Sequence, residues 1–113
     1  MLVNKLKCKL HRAKVTQAKL NYEGSISIDK TLCKRAGLLN YEKVDIYNIT
    51  NGARFSTYVI FGKKGEICLN GAAARHVQIG DRIIIAAYCQ LTPQETETFN
   101  PKFIFLDSKN RIK

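Results

Sequence analysis

The sequence predicts a mainly β fold, a small β-barrel with one or two short helices, and three observations support this prediction. Apolar and polar residues alternate with a period of two in several segments, which is typical of half-buried strands. Turn-forming residues separate these segments at close spacing, and one short segment is bounded by helix-capping residues. The chain has 113 residues, enough for one compact core, so we expect a single domain over residues 1–113.

The first predicted strand covers residues 5–10, in which lysines alternate with apolar residues. The inward face would carry Leu6, Cys8 and Leu10, and the outward face Lys5, Lys7 and Lys9. A helix is a poor alternative, because in a helix these apolar positions would wrap around the axis. After a turn over residues 21–25, alternation resumes in Ser25–Ile28 and predicts a second strand.

One short helix is predicted over residues 30–36. Asp29 is a suitable N-cap, because its carboxylate can accept hydrogen bonds from the free N–H groups of the first turn. Gly37 suits the position after the last turn, where helices often adopt a left-handed backbone. Residues 70–74 predict either a loop or the start of another helix.

Four further strands are predicted downstream, each bounded by turn-forming residues. They cover residues 43–49, 54–61, 66–69 and 82–91. Asn51-Gly52 marks the turn between the first two of them, and the continuous apolar run in the last predicts a strand buried on both faces. A polar link over residues 92–101 then leads to an edge strand over residues 103–106.

The chain is strongly basic, with a net charge of +10 from 19 Lys and Arg against nine Asp and Glu. Residues 1–35 hold nine of the basic residues but only two acidic ones, Glu23 and Asp29. Clustered positive charge favours an anionic partner and leaves nucleic acid, a membrane surface and a small acidic metabolite as alternatives.

The cysteines form no Cys-x-x-Cys pair, so the spacings of zinc sites and redox motifs are absent. They are Cys8, Cys33, Cys68 and Cys89. We expect them to be small core residues of a protein in a reducing, cytoplasmic setting. The sequence predicts neither a signal peptide nor a membrane-spanning segment.

Several common kinds of active site are excluded by the motifs. The nine acidic residues are scattered and form no glycosidase-like pair, and both glycine-rich phosphate-binding motifs are missing. His11 and His76 lack a set of partners at ligand spacing, which predicts no metal site and makes each a surface or structural histidine on spacing alone. These absences leave few of the usual ways in which a small chain performs chemistry.

Three segments stand out by their order and spacing. They are Leu20-Asn-Tyr-Glu-Gly-Ser-Ile-Ser-Ile-Asp29, Asn48-Ile-Thr-Asn-Gly-Ala-Arg-Phe-Ser-Thr-Tyr58 and Leu69-Asn-Gly-Ala-Ala-Ala74. In these segments, and in Lys9-Leu-His-Arg12 and Ile79-Gly-Asp81, the chain closely resembles the pyruvoyl-dependent L-aspartate 1-decarboxylases. The resemblance runs from about residue 4 to residue 91, and residues 92–113 look like a variable tail.

The resemblance implies an inactive precursor that cuts itself between Gly24 and Ser25. The Ser25 hydroxyl would attack the preceding carbonyl to give an ester, and elimination and hydrolysis would leave a pyruvoyl group in place of Ser25. The products would be residues 1–24 and 25–113. A glycine before the serine suits such an attack, because without a Cβ it tolerates a strained backbone. Whether a maturation factor assists the cut stays open.

The resemblance also implies a six-stranded double-psi β-barrel, assembled as a homotetramer with active sites between subunits. The pyruvoyl group would form a Schiff base with the amine of L-aspartate and accept the electrons released with CO₂, as pyridoxal phosphate does elsewhere. No metal, pyridoxal phosphate, nucleic acid or membrane would be involved. The product would be β-alanine for the biosynthesis of pantothenate and coenzyme A.

Residue roles follow from the matching motifs. Ser25 and Tyr58 would be catalytic, with Tyr58 as the proton donor, because a phenol is neutral at pH 7 and can release a proton. Thr57 would assist the cut at Gly24 through a hydrogen bond. The substrate would be bound by Lys9, Arg54, Thr57, Gly71, Ala72 and Ala73. A guanidinium group suits bidentate capture of a carboxylate. Supporting positions would be His11, Tyr22, Tyr47, Asn70 and Ile84.

One position departs from the family pattern. Position 47 is commonly Trp in the family and is Tyr47 here, so we expect altered pocket packing and no lost chemistry. Two other interpretations stay open. A small basic β-barrel that binds nucleic acid would account for the charge but would leave the motifs as coincidence. A degenerate homologue would keep the barrel and fail to mature.

Overall fold

Eight strands form one mixed sheet in the computed structural model, which describes residues 1–113. The strands are β1 (Val3–Lys14), β2 (Gln17–Lys19), β3 (Ser25–Asp29), β4 (Lys43–Asn48), β5 (Arg54–Gly62), β6 (Ile67–Asn70), β7 (Arg82–Leu91) and β8 (Lys102–Phe105). Their order in the sheet is β2-β6-β3-β5-β4-β7-β1-β8. Because β1 and β2 are consecutive in the chain yet lie near opposite ends of this order, the sheet curls into a barrel-like shape. The prediction of a mainly β fold is confirmed.

The resemblance predicts six strands, and the structure has two more. The additional strands are β2 and β8, which occupy the two ends of the sheet order. β2 has three residues and pairs in parallel with β6, and β8 pairs in parallel with β1. The prediction of an edge strand near the end of the chain is therefore confirmed, and the inner part of the sheet keeps six strands.

β1 is longer than predicted, and its alternation changes phase along the strand. Cys8 and Leu10 are buried as predicted, whereas Leu6 is only half-buried. Arg12 has a φ of 66°, and the register with β7 shifts between Leu10 and Ala13. This bulge moves the buried positions to Ala13, so the strand continues beyond the point where the alternation in the sequence ends.

The predicted helix has the predicted bounds and caps. In α1 (Lys30–Ala36) the Asp29 carboxylate accepts a hydrogen bond of 2.8 Å from the Thr31 N–H, and Gly37 has a φ of 80°. A 3₁₀ helix, Gly71–His76, follows β6.

The polar link between β7 and β8 contains a second α-helix, α2 (Pro93–Thr96). Thr92 and Glu95 start this helix with a reciprocal capping box, a signal that the sequence contains and that the prediction overlooked. Further along, the buried Asn110 side chain hydrogen-bonds to both backbone groups of Lys14, which holds the end of the chain against β1.

β7 has the predicted bounds, but the prediction that it is buried on both faces is wrong for its second half. Ile83 and Ile85 are fully buried in the core, whereas Ile84 is half-buried and Tyr88 is 45% exposed. The core-facing residues alternate with residues that point to the outer side of the sheet. The apolar run thus continues on an outer face that one copy of the chain leaves partly open.

The core lies between the inner faces of the curled sheet and α1. It contains Cys8 and Cys33; Cys68 is also buried, Cys89 is half-buried, and all four thiols are free. No helix in the structure has the length and apolar character needed to cross a membrane.

Candidate active site

The Gly24–Ser25 peptide bond lies where an exposed loop enters the sheet. Gly24 is exposed, whereas Ser25 is the first residue of β3 and only 3% exposed. A Cβ built on Gly24 would meet no atom within 4 Å, and the backbone of Gly24 lies outside the left-handed region. The structure therefore does not show the strained backbone that we expected at Gly24.

The glycine that the local backbone requires is Gly71. It has a φ of 67°, and a Cβ there would lie 2.7 Å from the Gly24 nitrogen and 2.7 Å from the Tyr22 carbonyl oxygen. Real Cβ atoms do not approach backbone this closely, so only glycine lets the start of the 3₁₀ helix pack against residues 22–24. Gly71 thereby fixes the position of the loop that precedes Ser25. The Tyr22 side chain itself is 63% exposed.

Four polar side chains form a hydrogen-bonded group at the junction of β3 and β6, which we call the cleavage cluster. Its members are Ser25, Ser27, Cys68 and Asn70. The antiparallel register pairs Ser25 with Asn70 and Ser27 with Cys68, so all four side chains share one face. The Asn70 Nδ2 group donates to Ser25 Oγ at 2.9 Å and to Ser27 Oγ at 3.1 Å. The Cys68 thiol donates to Asn70 Oδ1 at 3.2 Å.

A cleft of about 350 Å³ opens beside Gly24 and brings several predicted residues together. Those that were predicted are Gly24, Thr57, Tyr58, Ala72 and Ala73. The cleft is also lined by Phe55, Ser56 and His76, which the sequence analysis did not assign to the site. The rings of Phe55 and His76 stack with their centroids 4.7 Å apart. The small side chains of Ala72 and Ala73 leave the cleft wall close to the backbone.

Residues of the Asn48–Gly52 turn and the end of the 3₁₀ helix hold this cleft in place. The Asn48 amide donates to the His76 carbonyl at 3.2 Å and to the Asp81 carboxylate at 2.8 Å, and both Asn48 and Asp81 are buried. Asn51 donates to the same His76 carbonyl at 3.1 Å. These bonds tie the turn before β5 to the end of the 3₁₀ helix, and both β5 and the 3₁₀ helix supply residues that line the cleft.

Arg54 lies outside this cleft, on what we call the outer face. The outer face consists of Lys9, Tyr47, Arg54 and Ile84. Tyr47, Arg54 and Ile84 line a separate cleft of about 220 Å³, and the Arg54 guanidinium carbon lies 4.0 Å from the centre of the Tyr47 ring. Cross-strand pairing of Tyr47 with both Arg54 and Ile84 places the three on one side of the sheet.

Tyr47 is held by its hydroxyl as well as by its ring. The hydroxyl groups of Tyr47 and Tyr88 are 2.7 Å apart. Partial burial, and then the hydrogen bond to Tyr88, raise the pKa of Tyr47 to about 12, although the nearby Arg54 opposes this change. The phenol therefore stays protonated at neutral pH and serves as a platform for the guanidinium group.

Lys9 and His11 come from β1, at the far side of the outer face. In the sheet, Lys9 pairs with Ala86 of β7, Ala86 pairs with Asp45 of β4, and Asp45 pairs with Ser56 of β5. Lys9 is therefore three strands away from β5. The His11 ring contacts Phe105 edge-on at 5.6 Å, and its buried Nδ1 has no hydrogen-bond partner. Burial, with Lys9, Arg12 and Lys113 nearby, lowers the pKa of His11.

Three larger clefts lie away from Ser25. One of about 630 Å³ runs along β4 and β7 beside Tyr47 and Tyr88, one of about 590 Å³ lies between the start of α1 and residues 109–112, and one of about 530 Å³ lies between β2 and residues 63–66. Size alone would favour these clefts, but none of them touches the cleavage cluster. No group of three or more His, Cys, Asp or Glu side chains in the structure could hold a metal ion.

Comparison with known proteins gives a consistent result over the whole chain. Residues 1–113 match the family model described as aspartate decarboxylase. The Aspartate 1-decarboxylase of Bdellovibrio bacteriovorus is 60% identical over 112 residues, which cover 99% of this chain and 90% of the relative. The Aspartate 1-decarboxylase of Campylobacter hominis is 58% identical over 110 residues, covering 97% and 96%. That of Clostridium botulinum strain 657 is 59% identical over 115 residues, covering 100% and 91%.

Proposed function

The chain belongs to the aspartate decarboxylase family and converts aspartate to β-alanine, and we propose that it does so with a pyruvoyl group made from its own Ser25. The observation that carries the proposal is the setting of Ser25 Oγ. Ser25 is buried next to an exposed glycine, Gly24, which lines a cleft open to a small substrate, and Ser25 Oγ accepts a hydrogen bond of 2.9 Å from Asn70. The β-alanine would supply the biosynthesis of pantothenate, as in the family.

The residues present fit the formation of such a group. Attack of Ser25 Oγ on the Gly24 carbonyl carbon forms an ester and releases the Ser25 nitrogen as an amine. Elimination would then remove the Ser25 Cα proton and break the Cβ–Oγ bond, so that Gly24 keeps the oxygen as a carboxylate. The Cα–Cβ double bond that remains would shift to a carbon–nitrogen double bond as Cβ takes up a proton. Water replaces the nitrogen, which leaves as ammonia. The Asn70 N–H group would stabilise the negative charge that Oγ carries as it loses its proton, before its bond to the Gly24 carbonyl carbon forms.

Thr57 and Tyr58 would act from β5, which lines the same cleft as Gly24. Both line it together with Gly24, which supports a hydrogen bond from Thr57 to the scissile region. Tyr58 would donate the proton that replaces the lost carboxylate, because a neutral phenol can act as a general acid. A pyruvoyl carbonyl supplies an electrophile for the substrate amine and an electron sink for the decarboxylation.

Arg54 and Lys9 would bind the substrate carboxylates. Arg54 has no carboxylate partner in the structure, and its guanidinium group rests on Tyr47, so the donors of its fork remain free to bind a substrate carboxylate. Ile84 would form an apolar wall beside it, and Gly71, Ala72 and Ala73 would bring backbone N–H groups close to the substrate. His11 and Tyr22 would support the site from β1 and from the loop.

The proposed assembly is a homotetramer with each site shared between two copies. In one copy, Arg54 and Lys9 lie away from the cleft that contains Gly24. Exposed aromatic residues favour an interface between subunits on the outer side of the sheet: Tyr88 is 45%, Phe103 48% and Phe105 51% exposed. A second copy would bring its cationic groups to the first copy's cleft.

Intact mass under denaturing conditions tests the proposal most directly. We expect two pieces, residues 1–24 and 25–113, with the larger one blocked to N-terminal sequencing, and release of β-alanine from aspartate. The Ser25→Ala variant should stay intact and inactive, whereas Ser56→Ala, which changes a serine on the cleft wall, should still split. A parent chain that stays intact, both in buffer and in a cell extract that supplies a maturation factor, would contradict the proposal.

A further inference from the structure

The orientation of the Asn70 carboxamide determines what it can do for Ser25. With its NH₂ group towards Ser25, as in the structure, Asn70 donates to Oγ and leaves the hydroxyl proton free to move to another acceptor. Rotated by half a turn, the amide would present its oxygen instead. That oxygen would accept the hydroxyl proton and would repel the negative charge that develops on Oγ.

The two serines of the cleavage cluster cannot select between these orientations. A hydroxyl group both donates and accepts, so Ser25 and Ser27 can hydrogen-bond with either end of the amide. Their distances to Nδ2, 2.9 and 3.1 Å, fit either arrangement. A third group must fix the amide, and it must be a donor that faces Oδ1.

Cys68 is that group. Its Sγ lies 3.2 Å from Asn70 Oδ1, and its only other acceptor within reach, the Leu69 carbonyl, is more distant at 3.9 Å. Cys68 is 1% exposed and Asn70 is 2% exposed, so water does not compete for this hydrogen bond. Burial raises the pKa of Cys68, with Glu66 adding to the effect, so the thiol keeps the proton that it donates. A rotated amide would point N–H groups at sulfur, which is a weak acceptor.

We propose that Cys68 is a positioning residue for self-cleavage: its thiol holds the Asn70 carboxamide with the NH₂ group facing Ser25 Oγ. The inference rests on the proposed function, because it assigns a role in the cut that makes the pyruvoyl group. Ser27 takes the second Asn70 N–H and completes the arrangement, so that no donor or acceptor of the amide is left unpaired.

The test compares Cys68→Ala, which removes the donor, with Cys68→Ser, which keeps one. We expect Cys68→Ala to split about fivefold more slowly than the parent, the effect of one neutral hydrogen bond, and Cys68→Ser to recover most of the rate. Cys33→Ala is the matched control, because Cys33 is also a buried thiol but donates to the Ile28 carbonyl. It should split at the parent rate.

A second measurement does not depend on splitting. In uncut Ser25→Ala protein labelled with ¹⁵N at asparagine, the Asn70 side-chain NH₂ should exchange slowly with solvent, and it should still do so when Cys68→Ser is added. Exchange should be faster when Cys68→Ala is added. Equal splitting and exchange in all variants would overturn the proposal, as would a Cys68→Ser variant as impaired as Cys68→Ala. An intact parent chain with the expected exchange pattern would overturn the proposed function and leave the positioning of Asn70 supported.

Discussion

The cleavage cluster and the outer face are built in opposite ways. In the cluster, Ser25, Cys68 and Asn70 are almost completely buried, and each polar atom has a partner from the same chain. On the outer face, Arg54 is exposed and rests on an aromatic ring, and Lys9 is three strands away from β5. The difference supports the proposal that one copy supplies the side chains for the cut, whereas substrate binding would be completed by assembly.

The largest expected effect is that of Arg54→Ala, which should change the decarboxylation of aspartate but not the splitting of the chain. Arg54→Ala should split at the parent rate but lose about 100-fold in kcat/KM, because a substrate carboxylate would lose its charged partner. Kinetic assay of the fully split protein with aspartate, together with intact mass, checks both parts. Slow splitting in Arg54→Ala would show that the outer face also serves the cut, and the separation would be wrong.

Mixed assemblies test whether a site is shared. Ser25→Ala alone should be inactive, and Arg54→Ala alone should keep only its strongly reduced activity. Co-expression should restore up to about a quarter of the sites if Ser25 and Arg54 of a site come from different copies. If both residues of a site came from the same copy, no site would regain both, and activity would stay at the level of Arg54→Ala alone.

The next effect concerns the loop before Ser25. Gly71→Ala should slow splitting by about tenfold, because its Cβ would press on the Gly24 and Tyr22 backbone and displace the scissile bond. Gly52→Ala is the matched control: Gly52 also has a positive φ, of 80°, but a Cβ there would meet nothing within 4 Å. Time courses of intact mass compare the two. Equal rates would mean that this close approach does not position the loop.

A smaller effect is expected on the platform beneath Arg54. Tyr47→Leu should raise KM for aspartate about threefold through loss of the cation–π contact, while leaving splitting unchanged. Tyr47→Phe keeps the ring and loses only the hydrogen bonds of the hydroxyl, to Tyr88 and to Asp45, so its KM should stay close to that of the parent. Tyr47→Phe with the same KM as Tyr47→Leu would show that the hydroxyl, and not the ring, holds Arg54.

The smallest effect is a pH dependence of stability. Because the fold lowers the pKa of His11, the unfolded chain binds the proton more readily, and the free energy of unfolding should fall as the pH drops below about 6.5. The loss should stop once the pH is below the lowered pKa. Denaturant titrations of His11→Gln should show a flatter dependence than the parent. His76→Gln, which changes an exposed histidine, should behave like the parent.

The sequence predicted local structure well where a residue's chemistry acts on its neighbours. Asp29 and Gly37 bound α1 as expected, and period-two alternation located most of the strands. The bulge at Arg12 could not be predicted, because it depends on pairing with a strand about 70 residues away in the sequence. The open half of β7 was also missed, because an apolar run does not show which elements cover it.

For the site, the motifs supplied the residues but not their grouping. The cleft beside Gly24 is also lined by Thr57, Tyr58, Ala72 and Ala73, whereas Arg54 lines a different cleft. A motif in the sequence does not show which of its residues lie close together in the fold. Cys68 was interpreted only as a small core residue. A signal was nevertheless present, because Ser27 and Cys68 each lie two positions from a predicted site residue on a strand and therefore share its face.

The position of β1 has a consequence for the protein after the cut. β1 lies between β7 and β8, and β2 pairs with β6, so the 24-residue piece that the proposed cut produces would stay bound through strands of the larger piece. The proposed cut would therefore change the molecularity of folding: the precursor would unfold to one chain, and the mature protein to two. Dilution should then lower the thermal midpoint of the mature form. Once denatured, it should also refold far less completely than the uncut Ser25→Ala chain.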